Sequence, residues 1–339
     1  MPYNIEDKFV IAVASSALFD LSESDRVFQE HGEGAYRKYQ RENEHIVLDT
    51  GVAYPLIKRL LSINTDEPDD QPVEVVLLSR NDPDTGLRVF KSIEHYQLPI
   101  SRAVFIAGSN PFEYMEAFNA SIFLSGNPDD VKEAVEQGFP AGCIYPTDYI
   151  DDDEDQELRI AFDFDGIIAD DSAESVFQQG GQLALFHDHE RLNAGESLPP
   201  GPLLKFFQEI SKLQKRILER YPTNAKDKPR IRIAIATARN APAHERVITT
   251  LRKLDIRVDE AFFLGGIDKG RVLRIFRPHI FFDDQVGHIE GVARIVPSVH
   301  VPFGITNIKR ESVSKKSLHC KTTAKQGAEN NEAPRSLGQ

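Results

Sequence analysis

Ala161-Phe162-Asp163-Phe164-Asp165-Gly166-Ile167 is an apolar run that ends in two carboxylates two residues apart, followed by a glycine. Its lead-in, Leu158–Phe162, reads as a buried strand of a parallel sheet. In such sheets ligands bind at the carboxyl ends of the strands, where the chain is leaving the sheet and both carboxylates can face the crevice. Three downstream segments follow the same plan. Ile235-Ala236-Thr237-Ala238-Arg239 is a strand ending in a hydroxyl, Gly265-Gly266-Ile267-Asp268-Lys269 sets a lysine after a glycine turn, and Ile280-Phe281-Phe282-Asp283-Asp284 is a strand ending in paired carboxylates. Together they hold the parts of a phosphoryl-transfer site. Carboxylates from two strands can hold Mg²⁺, a hard ion that prefers oxygen. One aspartate can attack phosphorus. A second, two residues on, can protonate the leaving oxygen and then deprotonate water. A hydroxyl and a lysine can bind phosphoryl oxygens as charge builds.

Outward from this core, apolar runs alternate with helical segments on both sides of the acidic run Asp151-Asp152-Asp153-Glu154-Asp155. Expected strands are Phe9–Ala14, Val73–Leu78, Ala103–Ala107 and Ser121–Leu124 in the first half, and Leu158–Phe162, Ile231–Ala236, Glu260–Leu264 and His279–Phe282 in the second. Leu203, Phe206, Phe207, Ile210 and Ile217 form the core stripe of a helix. The halves also resemble each other. Leu77–Asn81 aligns with Ala236–Asn240 at an offset of 159, while Val104–Gly108 with Phe262–Gly266, and Ser121–Gly126 with His279–Asp284, align at 158. This predicts an α/β protein of two Rossmann-like units made by internal duplication. The units are 1–150 and a catalytic 156–307 carrying a small insertion at about 168–200. A tail over 308–339, basic and poor in large apolar residues, reads as disordered. In the first unit Ala14 and Ser16 face Asp163 and Asp165, Leu78 faces Thr237, Pro111 faces Lys269, and Ser125 and Gly126 face Asp283 and Asp284. With every catalytic group missing, it reads as a dead, supporting copy, in which Ser15, Ser16 or Arg80 could help hold a nucleotide.

The 339 residues carry 40 basic and 53 acidic side chains, a formal charge of −13, with 40% hydrophobic and 27% charged residues. That balance argues against a protein that coats a nucleic-acid polymer. A small phosphate ester is still an acceptable ligand where a metal or lysine offsets its charge. No run approaches the ~18 apolar residues of a membrane helix, and MPYNIEDKFV lacks the features of a secretory leader. Two cysteines, Cys143 and Cys320, cannot make a disulfide framework, so a cytoplasmic setting is expected. The 265–270 segment lacks the Gly-Lys-Ser/Thr of a P-loop, and no G-x-G-x-x-G follows a strand. Zinc spacing is absent, and His187, His189, His244, His288 and His300 read as structural.

The ordered set resembles the haloacid dehalogenase (HAD) superfamily of phosphohydrolases. By that resemblance Asp163 is the nucleophile and Asp165 the acid/base. Thr237, Ala238 and Lys269 bind the phosphoryl group, and Asp163, Asp165 through its carbonyl, Asp283 and Asp284 hold Mg²⁺. More narrowly, Phe162–Gly166 followed by Asp170-Asp171-Ser172-Ala173-Glu174 resembles the cytosolic 5′-nucleotidase type I family. So do Gly201-Pro202-Leu203, Thr237-Ala238-Arg239, His279–Gln285, His300–Gly304 and, in the first half, Ala14–Asp20. The likeness spans about Phe9 to Gly304 and implies Mg²⁺-dependent hydrolysis of nucleoside 5′-monophosphates, AMP being the usual one. Phe164 and Gly166 depart from residues common in that family, which leaves base preference open. In the HAD fold the 168–200 position carries a cap, and Asp171, Glu174, Phe177 and Phe186 are the candidates there for meeting the substrate, the two phenylalanines by covering a base; Arg239, two residues after Thr237, could pair with a carboxylate or face the substrate. The implied partner is a nucleoside monophosphate rather than a nucleic acid or membrane, and the first half offers a surface for a homo-oligomer. The alternatives are a HAD phosphatase or phosphotransferase for another small phosphate ester, and a nucleotide-binding sensor with little turnover. Binding alone does not need a proton shuttle at Asp165, which speaks against the sensor.

Overall fold

The computed structural model describes residues 3–172, 183–221, 230–304 and 307. Ten strands form one sheet: β1 (Phe9–Val13), β2 (Val73–Ser79), β3 (Arg102–Phe105), β4 (Phe123–Ser125), β5 (Ala141–Tyr145), β6 (Leu158–Phe162), β7 (Ile231–Thr237), β8 (Glu260–Phe263), β9 (Ile280–Asp283) and β10 (Ser298–His300). Their order is β3-β2-β1-β4-β5-β10-β9-β6-β7-β8. Every neighbouring pair is parallel except β5 with β10. Helices cover both faces, so central strands must be apolar on both sides. All five residues of β1 and of β6 are buried accordingly. The edge strands β3 and β8 are half-buried.

The expectation of two units is amended at the seam. β5 and β10 pair antiparallel and weld the halves into one sheet. Neither was anticipated: Ala-Gly-Cys-Ile-Tyr contains a glycine, and Ser-Val-His holds a single aliphatic residue, so neither makes an apolar run. Read inward from each edge, the strand order is the same, and so is the register. Leu77 pairs with Val13 and Ala103, and Ile235 pairs with Phe162 and Ala261. That register puts Ser79, not Leu78, at the position of Thr237, and it corrects the alignment at 159 to a constant 158 across β2, β3 and β4. A hydroxyl therefore stands at that position in the first half as well.

One face of the sheet carries a single apolar core running through both halves, while the other face carries two separate clusters. The shared face exists because helices reach across the seam. Helix Leu204–Arg220 buries Phe206, Phe207, Ile210 and Ile217, and Phe206 meets Phe162 and Phe282 at 5.9 and 5.5 Å but also Phe9 at 5.8 Å. Helix Tyr54–Asp66 reaches β6 in return. Buried Glu67 accepts from Arg216 at 2.6 Å and Arg220 at 2.7 Å. The acidic run is anchored: Arg59 donates to the Asp151 carboxylate (2.8 Å) and to the carbonyls of Asp152 (2.9 Å) and Asp155 (3.0 Å).

Two excursions leave the sheet in matching places and are closed by the bridges Phe19–Thr50 and Ala169–Pro200. The first carries the helical stretch Ser22–Glu42, interrupted at Gly32 (φ 77°), and the second carries helix Leu183–Leu192. Glu174 and Phe177 lie outside the described residues, as does the 308–339 tail with Cys320. Among the described residues no helix is long and apolar enough to cross a membrane.

Beneath β9, buried His279 accepts the Arg159 backbone N–H on Nδ1 at 3.0 Å, so its proton sits on Nε2. Burial, aided by the Arg59 and Arg159 charges, pushes its pKa down to about 3. A depressed folded-state pKa contributes stability that is present above the unfolded value and lost as pH falls through the window from about 6.5 to 3. Urea unfolding across that window should therefore show a pH slope that His279→Gln reduces by up to about 1.4 kcal/mol per pH unit. An unchanged slope would contradict the assignment.

Candidate active site

Three strand ends and one loop converge at the carboxyl ends of β6, β7 and β9. Asp163 continues β6, its N–H donating to the Phe282 carbonyl at 2.8 Å. Thr237 closes β7 and Asp283 closes β9. Lys269 precedes helix Gly270–Phe276. Its Nζ lies 2.7 Å from Asp163 Oδ2 and 2.6 Å from Asp283 Oδ2, with all three side chains buried. The other Asp163 oxygen accepts the Phe164 N–H at 2.7 Å. Asp283 Oδ1 accepts the Gln285 N–H at 2.8 Å, and His288 Nδ1 stands 3.2 Å from both Asp283 oxygens.

The electrostatics follow from packing carboxylates together out of water. Burial pushes the Asp163 carboxyl up to about 6; Lys269 opposes this, and Asp283 and Asp165 add to it. Burial and the charges of Asp283 and Asp163 hold Asp284 well above the usual carboxylate range. For Asp283, burial is outweighed by Lys269 and His288, and its pKa falls. Burial alone would lower the Lys269 ammonium, but Asp163 and Asp283 more than offset it and raise it.

Asp165 turns away from this cluster. Both its oxygens are taken by Arg239, Nε and Nη2 each at 2.7 Å. Arg239 also pairs with fully buried Glu190, whose other oxygen accepts from Arg246 at 2.9 Å. Its guanidinium lies 5.7 and 5.6 Å from the ring centroids of Phe164 and Phe186. The sequence left Arg239 undecided between a carboxylate and the substrate; here it holds carboxylates. Phe186, the candidate for covering a base, packs on Arg239. His187 Nε2 meets Asn240 Oδ1 at 3.2 Å. Glu190 and Arg246 were not anticipated, and His288, read from the sequence as structural, stands against Asp283 in the cluster. Glu190 and Arg246 carry no motif, and their only signal would have been a charged residue on a buried helix face.

Thr237 is buried with its Oγ1 accepting the Arg239 N–H at 3.1 Å. Ala238 is exposed between two buried neighbours, where the strand end opens to the crevice. Gly166 has φ +74°, and a Cβ there would fall 2.5 Å from Asp284 Cγ. This departure from the family pattern is therefore what lets the Asp284 carboxylate sit against the Asp163–Gly166 turn. Asp171 lies apart, against Gly304, where a Cβ would come 2.7 Å from its Oδ2.

Of the four residues expected to hold a cation, Asp163, Asp283 and Asp284 are brought together, and Asp165 retains only its carbonyl for that purpose. Asp163, Asp283 and His288 offer ligand atoms within 4.8 Å of one another. Three buried carboxylates against one ammonium leave an excess of negative charge, expressed in the raised Asp284 pKa. A hard divalent cation fits that oxygen-rich, charge-deficient donor set.

A sequence profile of the 5′-nucleotidase family matches residues 1–308. Cytosolic 5′-nucleotidase 1B of Homo sapiens is 32% identical over 300 residues, a match covering 87% of this chain and 48% of the human protein. The chain thus spans about half the length of that relative. Among solved structures, an S. aureus MnaA–UDP co-structure is similar at 11% identity and a TM-score of 0.18, over 84% of this chain and 76% of that one.

Proposed function

The chain belongs to the 5′-nucleotidase family, and from that premise we propose that it hydrolyses nucleoside 5′-monophosphates, AMP foremost, to nucleoside and phosphate with Mg²⁺. The observation that carries this reading is Lys269 bridging Asp163 and Asp283 at the strand ends. An Asp163 oxygen attacks phosphorus, the P–O5′ bond breaks, and the phosphoryl group passes to Asp163 as an aspartyl-phosphate. Asp165, in its acid form, gives its proton to the departing O5′. To do so it must release at least one of its two Arg239 contacts. Asp165 then takes a proton from water, which attacks the same phosphorus, frees phosphate and restores the Asp163 carboxylate. Lys269, the Thr237 hydroxyl and the Ala238 amide hold the phosphoryl oxygens as charge grows. Asp163, Asp283, Asp284 and the Asp165 carbonyl would hold Mg²⁺, which when bound supplies counter-charge to the phosphate dianion.

The halves are then two copies of one HAD-type unit, a reading supported by their matched strand order and register. The 168–200 insertion acts as a cap, supported by the contacts of Phe186 and Glu190 with Arg239. A cytosolic setting is supported by the name of the human relative. Phosphate release from AMP, IMP, GMP, CMP, UMP and two sugar phosphates, with Mg²⁺ or EDTA, tests the reaction. Metal-dependent release from nucleotides, fastest from AMP, is the expected result. Release from sugar phosphates alone would keep the chemistry and discard the substrate, and no release from any would overturn the reaction.

A further inference from the structure

A second cleft, of about 600 Å³, lies at the carboxyl ends of β1, β2 and β4. Each half is internally parallel but β5 and β10 are antiparallel, so this cleft and the carboxylate cluster open on opposite ends of the sheet. One ligand cannot touch both. The expectation that Ser15, Ser16 or Arg80 helps hold the nucleotide being turned over is corrected accordingly.

The cleft repeats the buried relay of the catalytic half with most of its charge removed. In place of Arg246, Glu190, Arg239 and Asp165 stand Arg88, Gln40, Asn81 and Ser16, with Tyr36 where Phe186 lies. Matched contacts support this correspondence: the Asn43 amide donates to the Tyr39 carbonyl as Asn193 does to His189, and the Leu48 N–H donates to Ser92 as Leu198 does to Thr250. Arg88 donates to Gln40 Oε1 at 3.2 Å, Gln40 Nε2 to the Tyr36 hydroxyl at 3.0 Å, and that hydroxyl to Asn81 Oδ1 at 2.9 Å. The chain of bonds fixes which way the Asn81 amide faces. Its oxygen is used, while its Nδ2 is buried and meets no acceptor among the described residues. Buried donors are rarely left unmet in native proteins, and Asn81 lines the cleft. Beside it Phe28, 51% exposed, stands edge-on to Tyr36 with centroids 5.9 Å apart, giving an aromatic wall.

The counter-charges that a phosphate needs are gone. Pro111 replaces Lys269, and Ala14, Ser125 and Gly126 replace Asp163, Asp283 and Asp284, which removes the cation donors as well. Arg80 is already paired with buried Asp130, and Arg37 with Glu33 and Asp82. We propose that this cleft is a second, non-catalytic binding site for an uncharged nucleoside, its planar ring against Phe28 and Tyr36 and a ring acceptor on Asn81 Nδ2. The nucleoside class rests on the proposed reaction, of which it is the organic product; the uncharged character rests on the cleft alone.

The test is calorimetric titration of adenosine, and separately AMP, into the full chain carrying Asp163→Asn in EDTA, so that AMP stays intact. In that background Phe28→Ala and Tyr36→Phe should each weaken adenosine about tenfold or more. Phe28 is exposed enough that its loss spares the fold, and Tyr36→Phe keeps the ring while releasing the Asn81 amide. Adenosine binding untouched by both substitutions, or absent at millimolar concentration, would overturn the site. AMP displacing adenosine from it with equal affinity would overturn the charge argument. Absence of AMP turnover in the Mg²⁺ assay is a separate result; it removes the reaction, and adenosine binding still stands or falls on Phe28 and Tyr36.

Discussion

Asp163→Asn should lower phosphate release from AMP by about a thousandfold or more, because it removes the proposed nucleophile and keeps its shape. An amide oxygen can still accept the Phe164 N–H, but the amide is not a nucleophile toward phosphorus and its nitrogen cannot accept from Lys269. Lys269 retains Asp283, so no buried ammonium is stranded. Removing one of three crowded carboxylates also relieves repulsion, as the raised pKa of Asp163 and Asp284 indicates. The loss should therefore appear in kcat with the urea midpoint unchanged or higher. Retention of more than about a tenth of the turnover would show that Asp163 is not the attacking group.

Lys269→Met is the complementary case, and its main effect should be on stability. Methionine approximates the volume of lysine but leaves Asp163 and Asp283 buried without their cation. Breaking a buried ion pair from one side typically costs about 3–5 kcal/mol, since a desolvated charge is left uncompensated. Urea unfolding in EDTA at pH 7.5 should show a loss of that order. The sign with pH follows from the Asp163 pKa, already raised to about 6 with the lysine present. Above that pH the ionised carboxylate is the costly form, so the deficit should be largest there and shrink as pH falls and Asp163 takes up a proton. A loss under about 1 kcal/mol at pH 7.5 would mean that the cluster is better solvated than its burial implies.

Much of the sheet was legible because parallel strands covered on both faces are largely apolar. Phe9–Val13 is so throughout, and Leu158–Phe162 and Ile231–Ala236 still stand out although each carries one arginine. The seam strands did not, since β10 is three residues long and its pairing with β5 joins positions 143 and 300, a distance no local pattern reports. Asp163, Thr237, Lys269 and Asp283 were legible because each follows a strand or a glycine turn, where the fold exposes side chains to the crevice. Glu190 was not, because a lone glutamate in a polar helix looks like a solvated face until Arg239 and Arg246 are seen to converge on it. The one-residue slip at Leu78 had the same root. An offset read from similar letters ignores hydrogen-bond register, and register is what decides which side chain reaches the strand end.

The helices exchanged across the seam bear on what it would mean to cut this chain. Phe206 from the second half rests on Phe9 of the first, and Glu67 of the first half neutralises Arg216 and Arg220 of the second. A fragment beginning near residue 156 would keep every carboxylate of the candidate site yet bare one apolar wall and lose a buried counter-ion. The first half thus completes the core of the second whatever its own cleft binds. Having Ala14, Ser16, Ser125 and Gly126 where the second half has Asp163, Asp165, Asp283 and Asp284 does not free it from constraint: substitutions in its helix Tyr54–Asp66 would be felt at a site on the far side of the seam.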